Sequence, residues 1–296
     1  MDPNGRQYHR VPSVPYPFPA DLIEMDRLEQ IHHRLKEQLQ GALHVTPVPE
    51  WGFQRILDVG CGSGAWSLEM ATSHPHAQVM GIDLVPVFPG ATVPRNCSFE
   101  LVNLLSPSPL PFPDASFDLI YQRLLTLAIP ETRYASHLRE LYRISRPGAS
   151  LEIVECDLLF RQVGPHGAQL NAWIEETVSH QGLRRDLPLP IIMYQTGWHC
   201  THRQTLPHHA DLADDMPLSL SGLSGTLSWL YGMRQDILRV CGVDQTEFDQ
   251  HCQAFLDDEL IQYGSHLEFE LVVAYRDEVS PSLSDPTPSS TLSSSS

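Results

Sequence analysis

The sequence lacks the cysteine pairs, the long apolar run and the leading signal pattern that mark three large classes of protein. Its six cysteines lie far apart with no C-x-x-C pair, which excludes a disulfide framework and predicts reduced thiols. No stretch approaches the roughly eighteen apolar residues that a membrane-spanning helix needs, and the N-terminus has no basic and then apolar signal segment. We therefore expect an intracellular, cytoplasmic protein.

Basic residues are also scarce. Lys and Arg number 19 against 36 Asp and Glu, which gives a formal net charge of -17. Such a charge repels phosphate backbones and anionic lipid surfaces, so we expect neither nucleic acid nor membrane as a partner. Hydrophobic residues make up 42% of the 296 residues, which predicts one large globular domain with tails.

The chain begins with a proline-rich arm, residues 1–20, whose aromatic residues can pack on the body of the protein. Asp21 and Glu24 then have the spacing of a helix capping box, and apolar residues follow at intervals of three or four. This pattern predicts a helix from about Leu22 to Gln40 that ends at Gly41.

In the next hundred residues, short apolar runs alternate with helical patterns. The apolar runs are RILDV, QVMGID, CSFELV, FDLIY and SLEIVE. Strands that alternate with helices are typical of right-handed βαβ crossovers, which build a parallel sheet with helices on both faces. The predicted fold class is therefore α/β, doubly wound.

The second half of the chain has a looser pattern. The segments WHCTHRQTL and HLEFELVVAYRD have the β-branched content of strands. Between them we predict helices over Ser224–Val240 and Thr246–Tyr263, which form a helical cap insertion of about residues 207–263. The whole domain is expected to span residues 21–278, and the Ser/Pro-rich tail, 279–296, is expected to be disordered.

The most informative segment is the turn LDVGCGSG at the end of the first predicted strand. Gly60, Gly62 and Gly64 alternate along it, so the backbone can adopt positive φ and a ligand can lie against the main chain. Gly60, Gly62 and Ala65 also satisfy the G-x-G-x-x-G/A fingerprint of dinucleotide sites. Asp58, however, would repel a pyrophosphate at this turn and would favour a cationic ligand such as S-adenosylmethionine (SAM).

Two polar residues follow the next strands. Asp83 ends QVMGID about twenty residues after the turn, where a carboxylate can accept hydrogen bonds from the ribose hydroxyls of either ligand. Asn103 follows the third strand, where its amide can bond adenine. An equally good interpretation is that Asn103 is a turn residue before SPSPLPFPD.

The segments LDVGCGSG, GID, LPFPDASFDLIYQRLL and LYRISRPGASLEIVE occur in the order and spacing of the motifs of class I SAM-dependent methyltransferases. The chain resembles this family over about residues 55–155. EMDRLEQIHH and YQRLL are further similar to the fungal LaeA-like methyltransferases, many of which belong to secondary-metabolite pathways. The resemblance implies a mostly parallel seven-stranded sheet with an N-terminal helix, SAM as cofactor, and a small-molecule acceptor, with O-methylation favoured.

The resemblance also implies roles for individual residues. Asp58 and the glycine turn would line the methionine part of SAM, Asp83 would hold the ribose, and Asn103 would meet the adenine. Gln122 and Arg123 follow the fourth strand, at the mouth of the active site. The full set of predicted cofactor-binding residues is Asp58, Gly60, Cys61, Gly62, Gly64, Asp83, Leu84, Asn103, Leu104, Gln122 and Arg123.

Methyl transfer from a sulfonium requires the alignment of donor and acceptor in a water-poor pocket and needs no covalent nucleophile. A hydroxyl acceptor would benefit from a general base, for which the candidates are Glu155, Asp157 and His199. Each of these residues also has an ordinary structural interpretation.

A group of possible metal ligands follows Trp198. Its members are His199, Cys200, His202, His208 and His209. Their spacing matches no zinc site, and neighbours on a strand point to opposite faces, so no metal is expected.

Three functions remain open at this level. The motifs favour an enzyme that methylates a small molecule. The proline-aromatic arm and the acidic C-terminal part favour a regulatory protein with a protein partner, which would be compatible with the nucleus. The glycine spacing alone would suit an NAD-dependent oxidoreductase. The oligomeric state is not indicated.

Overall fold

A computed structural model describes residues 6–9, 11, 14–89, 93–209 and 225–278. Its strands are β1 (Arg55–Val59), β2 (Gln78–Asp83), β3 (Cys97–Leu101), β4 (Phe117–Arg123), β5 (Ser145–Cys156), β6 (His199–His209) and β7 (His266–Tyr275). Its helices are α1 (Leu22–Gln38), α2 (Ala65–Ser73), α3 (Glu131–Ile144), α4 (Pro165–His180), α5 (Leu189–Gln195), α6 (Gly225–Cys241), α7 (Gln245–Ala254) and α8 (Leu260–Gln262). A π-helical turn, Phe255–Glu259, joins α7 to α8.

The seven strands form one sheet in the order β3-β2-β1-β4-β5-β7-β6. Strands β1 to β5 run parallel to one another. Strand β7 is antiparallel to both β5 and β6. This arrangement confirms the predicted doubly wound α/β class with a mostly parallel sheet. The strand order reverses between β1 and β4, and a ligand crevice is expected at the carboxyl ends of those two strands.

Alternate side chains of the strands supply two separate cores. Ile56 of β1 packs into the core shared with α1, α2, α4, α6 and α7, whereas its neighbour Leu57 packs into the core shared with α3 and α5. Both side chains are fully buried. Such near-continuous apolar runs are what a sheet covered on both faces requires.

Helix α1 begins where its capping residues predicted. The side chain of Asp21 accepts a hydrogen bond from the backbone N of Glu24 at 3.1 Å. The helix ends at Gln38, two residues before the predicted end. Gln40 and Gly41 both adopt positive φ, so the backbone has already left the helical region at these two positions.

The predicted helix over Thr246–Tyr263 is interrupted by the π-helical turn. Glu259, the last residue of that turn, is buried and its two carboxylate oxygens accept hydrogen bonds from the backbone N atoms of His166 and Gly167, both at 2.8 Å. A carboxylate at the first turn of α4 satisfies donors that have no partner within the helix. Periodicity within one segment could not reveal this cap, because the two partners are 92 and 93 residues apart in the chain.

The predicted strands on either side of the cap insertion are β6 and β7. Between them, α6 packs against α1 and α4. Residues 210–224 of the insertion lie outside the described residues, as does the predicted disordered tail. None of the helices in the described ranges is both long and apolar enough to cross a membrane.

Candidate functional site

The glycine turn between β1 and α2 is held against β2. The backbone N atoms of Gly60 and Cys61 both donate to the carbonyl O of Ile82, at 2.8 and 3.0 Å. Gly60, Gly62 and Gly64 have φ values of 69°, 52° and 77°, all in the left-handed region. Residues other than glycine rarely adopt this backbone conformation, so the fold requires glycine at these three positions.

Two of these glycines also make close contacts that leave no space for a side chain. A Cβ atom at Gly60 would lie 2.6 Å from Cδ2 of Leu125, in the loop after β4. A Cβ atom at Gly64 would lie 2.7 Å from Cζ of Phe99 on β3. Gly64 therefore serves the packing of the turn and does not line the cleft beside it.

Asp83 stands at the end of β2 and connects two loops. Its Oδ2 accepts from the backbone N of Gly62 at 2.9 Å, and its Oδ1 accepts from the backbone N of Val85 at 3.1 Å. Burial raises the pKa of this carboxyl. Each carboxylate oxygen has a second lone pair, so the side chain can also accept two hydroxyl hydrogen bonds from a ligand in the cleft.

A cleft of about 1000 Å³, its open mouth included, lies over the glycine turn and the carboxyl ends of β2, β3 and β4. Leu84, Val102 and Leu104 form an apolar wall beside Asn103. Oδ1 of Asn103 accepts from the backbone N of Leu105 at 2.9 Å, which is the turn that the sequence suggested. Because Asn103 also lines the cleft, its amide NH2 can face a ligand there, and the two interpretations hold together.

Asp58 lies beneath the turn and not in the cleft wall. It is buried, and its Oδ2 accepts from the Ser67 hydroxyl of α2 at 2.6 Å. Burial raises the pKa of Asp58 to about 6. Its position differs from the predicted direct contact with the ligand, because strand alternation directs this side chain toward α2. Sequence position alone placed it near the turn but could not decide its face.

Gln122 also lies outside the cleft. Its amide donates to the Tyr134 hydroxyl at 2.9 Å and to Oε1 of Glu155 at 3.2 Å, and its oxygen lies 2.7 Å from Nε2 of His137. This fully buried network ties β4 to α3 and β5. Gln122 belongs to β4 itself, so its side chain points away from the side that Arg123 occupies, and a direct role at the active-site mouth is not supported.

Arg123 does line the cleft. Its guanidinium lies 3.4 Å from Nδ1 of His32, whose Nε2 lies 3.3 Å from a carboxylate oxygen of Glu69. Burial and the nearby Arg123 charge together lower the pKa of His32 to about 4. His32 is therefore neutral at pH 7 and lies between Arg123 of β4 and Glu69 of α2.

The N-terminal arm forms one side of the cleft, which the sequence did not predict. His9, Val14 and Tyr16 line it together with Glu24 of α1. The arm is held by the Tyr8 hydroxyl, which donates to the carbonyl O of Gly232 at 2.8 Å. The expectation that aromatic residues of the arm pack on the body is thereby met, and the arm has a place beside the ligand site.

The three candidates for a general base lie in different surroundings. The two oxygens of Glu155 accept from the backbone N atoms of Leu125 and Thr126, at 3.0 and 3.2 Å, and burial raises the pKa of this carboxyl. Asp157 is paired with Arg161 at 2.7 Å. His199 is wrong as a candidate, because it pairs with Tyr275 at the level of Ser150, the end of the sheet opposite to the cleft.

The possible metal ligands of β6 have other partners. Nε2 of His199 lies 2.9 Å from Asp277, the Cys200 thiol lies 3.8 Å from the Met193 sulfur, and the His208 ring packs edge-on against Phe269. The side chain of His209 lies outside the described set. Elsewhere among the described residues, His32, His33 and Glu69 could converge on an ion, but Glu69 also bonds the Lys36 ammonium, which would oppose a cation.

Residues 56–148 match the sequence family described as methyltransferase domain. This segment is a methyltransferase domain. It contains the glycine turn, Asp83, Asn103 and Arg123, so the match covers the parallel strands that build the cleft. The resemblance drawn from the motifs is thereby confirmed.

Curated relatives of this methyltransferase domain come from fungi. The chain is 36% identical over 144 residues to methyltransferase str2 of Strobilurus tenacellus. The matched segment covers 49% of this chain and 50% of that protein. It is 37% identical over 155 residues to the secondary metabolism regulator laeA of Monascus pilosus. That match covers 52% of this chain and 41% of the regulator. The chain thus spans about half or less of the length of these relatives.

A solved structure extends the comparison beyond the methyltransferase domain. It contains a methyltransferase in complex with the Haloferax volcanii Trm112 methyltransferase activator, and the match has a TM-score of 0.50 at 17% sequence identity. The match covers 86% of this chain and 94% of that one. At this identity the likeness shows the fold.

Proposed function

We propose that this protein is a SAM-dependent methyltransferase that acts on a small molecule. The observation that carries the proposal is the cleft in which Asp83 is fixed by the backbone N of Gly62, between the glycine turn and the apolar wall beside Asn103. These groups fit the three parts of SAM, which are the methionine, the ribose and the adenine. The similarity to fungal methyltransferases supports the same assignment.

The charges of the cleft also suit this ligand better than a dinucleotide. Glu24 and Asp83 line it, while Arg123 is its one basic residue among the described lining residues other than the histidine. SAM carries a sulfonium and an ammonium and no phosphate, whereas a pyrophosphate would approach the Asp83 carboxylate, which has no cationic partner among the described contacts; the charge of Glu24 is paired with Arg27. The proposal therefore favours SAM over NAD on electrostatic grounds.

SAM, when bound, would supply a methyl group activated by the sulfonium. The residues of this chain would bind the cofactor through Asp83 and Asn103, and the arm would exclude water from the cleft. An acceptor hydroxyl would exchange its proton for this methyl group, and the proton would pass to a general base. We favour O-methylation, with Glu155, whose carboxylate is bonded by the backbone N of the cleft-lining residue Leu125, as the candidate general base.

The test is isothermal titration of the purified protein with SAM and, separately, with NAD. We expect SAM to bind and NAD not to bind. Asp83→Ala removes two charge-assisted hydrogen bonds to the ribose and is expected to weaken SAM binding at least tenfold, from the usual strength of such bonds of about 1.5–3 kcal/mol each. Glu100→Ala, an exposed substitution on the adjacent strand, is the matched control.

Failure of SAM to bind the wild-type protein would overturn the proposal. Equal affinity in wild type and Asp83→Ala would overturn the assignment of the ribose site.

The similarity to the laeA regulators supports a second candidate, a regulatory protein that uses this domain as an interaction module. Two features of the sequence suggested a regulatory protein, the proline-aromatic arm and the acidic C-terminal part. Tyr8 of the arm contacts Gly232 of its own chain, which weakens the first of these reasons. The two functions differ in the fate of the methyl group. Turnover of SAM with an added small molecule, and no stable protein partner in a pull-down, would favour the enzyme.

A further inference from the structure

A second cavity of about 480 Å³, its open mouth included, adjoins the SAM cleft, and we call it the aromatic chamber. Tyr16 and Leu124 line both spaces, so the two meet at these residues. Phe18 of the arm, Trp229 of α6 and Phe269 of β7 form much of its wall. Aromatic faces from three separate elements favour a flat apolar occupant.

The charged groups of the aromatic chamber are already paired. Arg27 donates to Oε2 of Glu24 at 2.9 Å, and this pair is buried. Glu155 is bonded by two backbone N atoms of the loop after β4. Among the described residues, the chamber therefore offers no uncompensated positive charge to an anion, and a carboxylate ligand would meet Glu155 in a site of low polarity.

Within the described part of the chain, the chamber wall includes a buried polar atom that has no hydrogen-bond partner. The Trp229 residue is only 3% exposed, and its indole N–H is buried. Even so, this N–H makes no hydrogen bond to any described residue. A buried donor without an acceptor is uncommon and unfavourable. An oxygen atom of an occupant that reached this N–H from the chamber would satisfy it.

We infer that the aromatic chamber holds the methyl acceptor and that this acceptor is a neutral, flat, mostly apolar molecule with an oxygen that accepts a hydrogen bond from Trp229. The inference rests on the proposed function, since it places the acceptor beside the SAM cleft. Tyr16 stands where the two spaces meet, and the reacting atom of the acceptor lies on its side of the chamber. Burial raises the pKa of the Tyr16 phenol, so it remains protonated and can donate to that atom.

The test uses two probes that differ in one oxygen, 6-acetyl-2-naphthol and 6-ethyl-2-naphthol, titrated calorimetrically into the full chain. The acetyl probe is expected to bind about fivefold more tightly, the usual net contribution of one hydrogen bond. Trp229→Phe retains a ring but removes the N–H, and it is expected to abolish this difference. 6-Carboxy-2-naphthol, an anion at neutral pH, is expected to bind at least tenfold more weakly than the ethyl probe.

A second pair of variants tests the location without changing an aromatic residue of the wall. Ile31 of α1 is half-buried and lines the chamber, so Ile31→Trp is expected to fill it and to weaken both neutral probes at least tenfold. Ile23 lies on the same helix, is 50% exposed and lines neither cavity, so Ile23→Trp is expected to leave probe binding within twofold.

The outcomes separate this inference from the proposed function. SAM binding with no naphthol binding, or equal naphthol binding in wild type and Ile31→Trp, would overturn the chamber as the acceptor site. A preference for the acetyl probe that survives Trp229→Phe would overturn the role of the indole. Naphthol binding that Ile31→Trp abolishes, in a protein that does not bind SAM, would leave the chamber but overturn the methyltransferase.

Discussion

At the scale of single residues, buried acids distinguish this site from a generic α/β crevice. Asp58 bonds Ser67, Asp83 bonds two backbone N atoms, and Glu155 bonds the loop after β4. Asp58 therefore fixes α2 against β1, while Asp83 and Glu155 hold loops at the carboxyl edge of the sheet. Only Asp83 also faces the cleft, so substitutions at the other two would act on stability before they act on ligand affinity.

Asp58 gives a pH dependence that can be measured. Its pKa in the folded protein is raised to about 6, so the folded state binds the proton more tightly than the unfolded chain does. Stability from this group is present at low pH and is lost as the pH rises from about 4 to about 6. Asp58→Asn is expected to gain about 3 kcal/mol relative to wild type between pH 4 and pH 7, from about 1.4 kcal/mol per pKa unit.

Urea unfolding of both proteins at pH 4, 5, 6 and 7 measures this difference. Parallel stability profiles would show that Asp58 has an ordinary pKa in the folded protein.

Gly60 combines a left-handed φ with a contact that a methyl group would violate. Gly60→Ala is expected to displace the Leu125 side chain, 2.6 Å from the added atom, and to weaken SAM binding at least tenfold, while the strained φ costs about 1–3 kcal/mol of stability. Gly52→Ala is the matched control, because Gly52 has a φ of 71° but open space around it. Equal SAM affinity in both variants, measured by calorimetry, would contradict the role of the turn.

At the scale of elements, the arm and α1 act together as the cover of the cleft. Arg6 bonds the carboxylate of Asp21 at 2.7 Å, so the cap of α1 is also an anchor of the arm. Phe18 is 6% exposed, lies against the Tyr16 ring and receives the Arg27 guanidinium at 5.3 Å from its centre. The described part of the arm is thus packed against the body, although its sequence has no helix or strand pattern.

Phe18→Ala should release the arm. The loss of a buried phenylalanine costs about 3–5 kcal/mol when the element stays in place. Because the described residues of the arm belong to no helix or strand, we expect them to open locally instead, with faster hydrogen exchange at the Ala20 amide, which bonds the carbonyl O of Gln7. Leu22→Ala, 82% exposed beside it, should leave that exchange unchanged. Unchanged protection in Phe18→Ala would show that other contacts hold the arm.

At the scale of the whole molecule, ligand binding should be visible as stability. A ligand that binds only the folded state at a hundred times its dissociation constant adds about 2.7 kcal/mol. For a domain of this size that is expected to raise the midpoint of thermal unfolding by roughly 5 °C with SAM and not at all with NAD. A midpoint that rises equally with NAD would return the glycine turn to the dinucleotide interpretation.

The net charge of -17 also acts at this scale. It opposes polyanionic partners over the whole surface, whichever residues form the site. A small neutral acceptor is compatible with that charge, and this agrees with the paired charges of the aromatic chamber.

The sequence by itself determined the alternation of strands and helices, the left-handed glycine turn, Asp83 and the cap of α1. These features are local, since each depends on the periodicity, backbone freedom or spacing of neighbouring residues. They were enough for the fold class and for the family of the central segment.

Only the tertiary structure decided which side chains face the cleft. Asp58 and Gln122 had the right positions along the chain, but strand alternation directs both away from the cleft. His199 was placed by the order of the strands at the opposite end of the sheet. The aromatic chamber joins an arm, α1, α6 and β7 from distant parts of the chain. Such a wall has no sequence motif, because long-range packing alone brings its residues together.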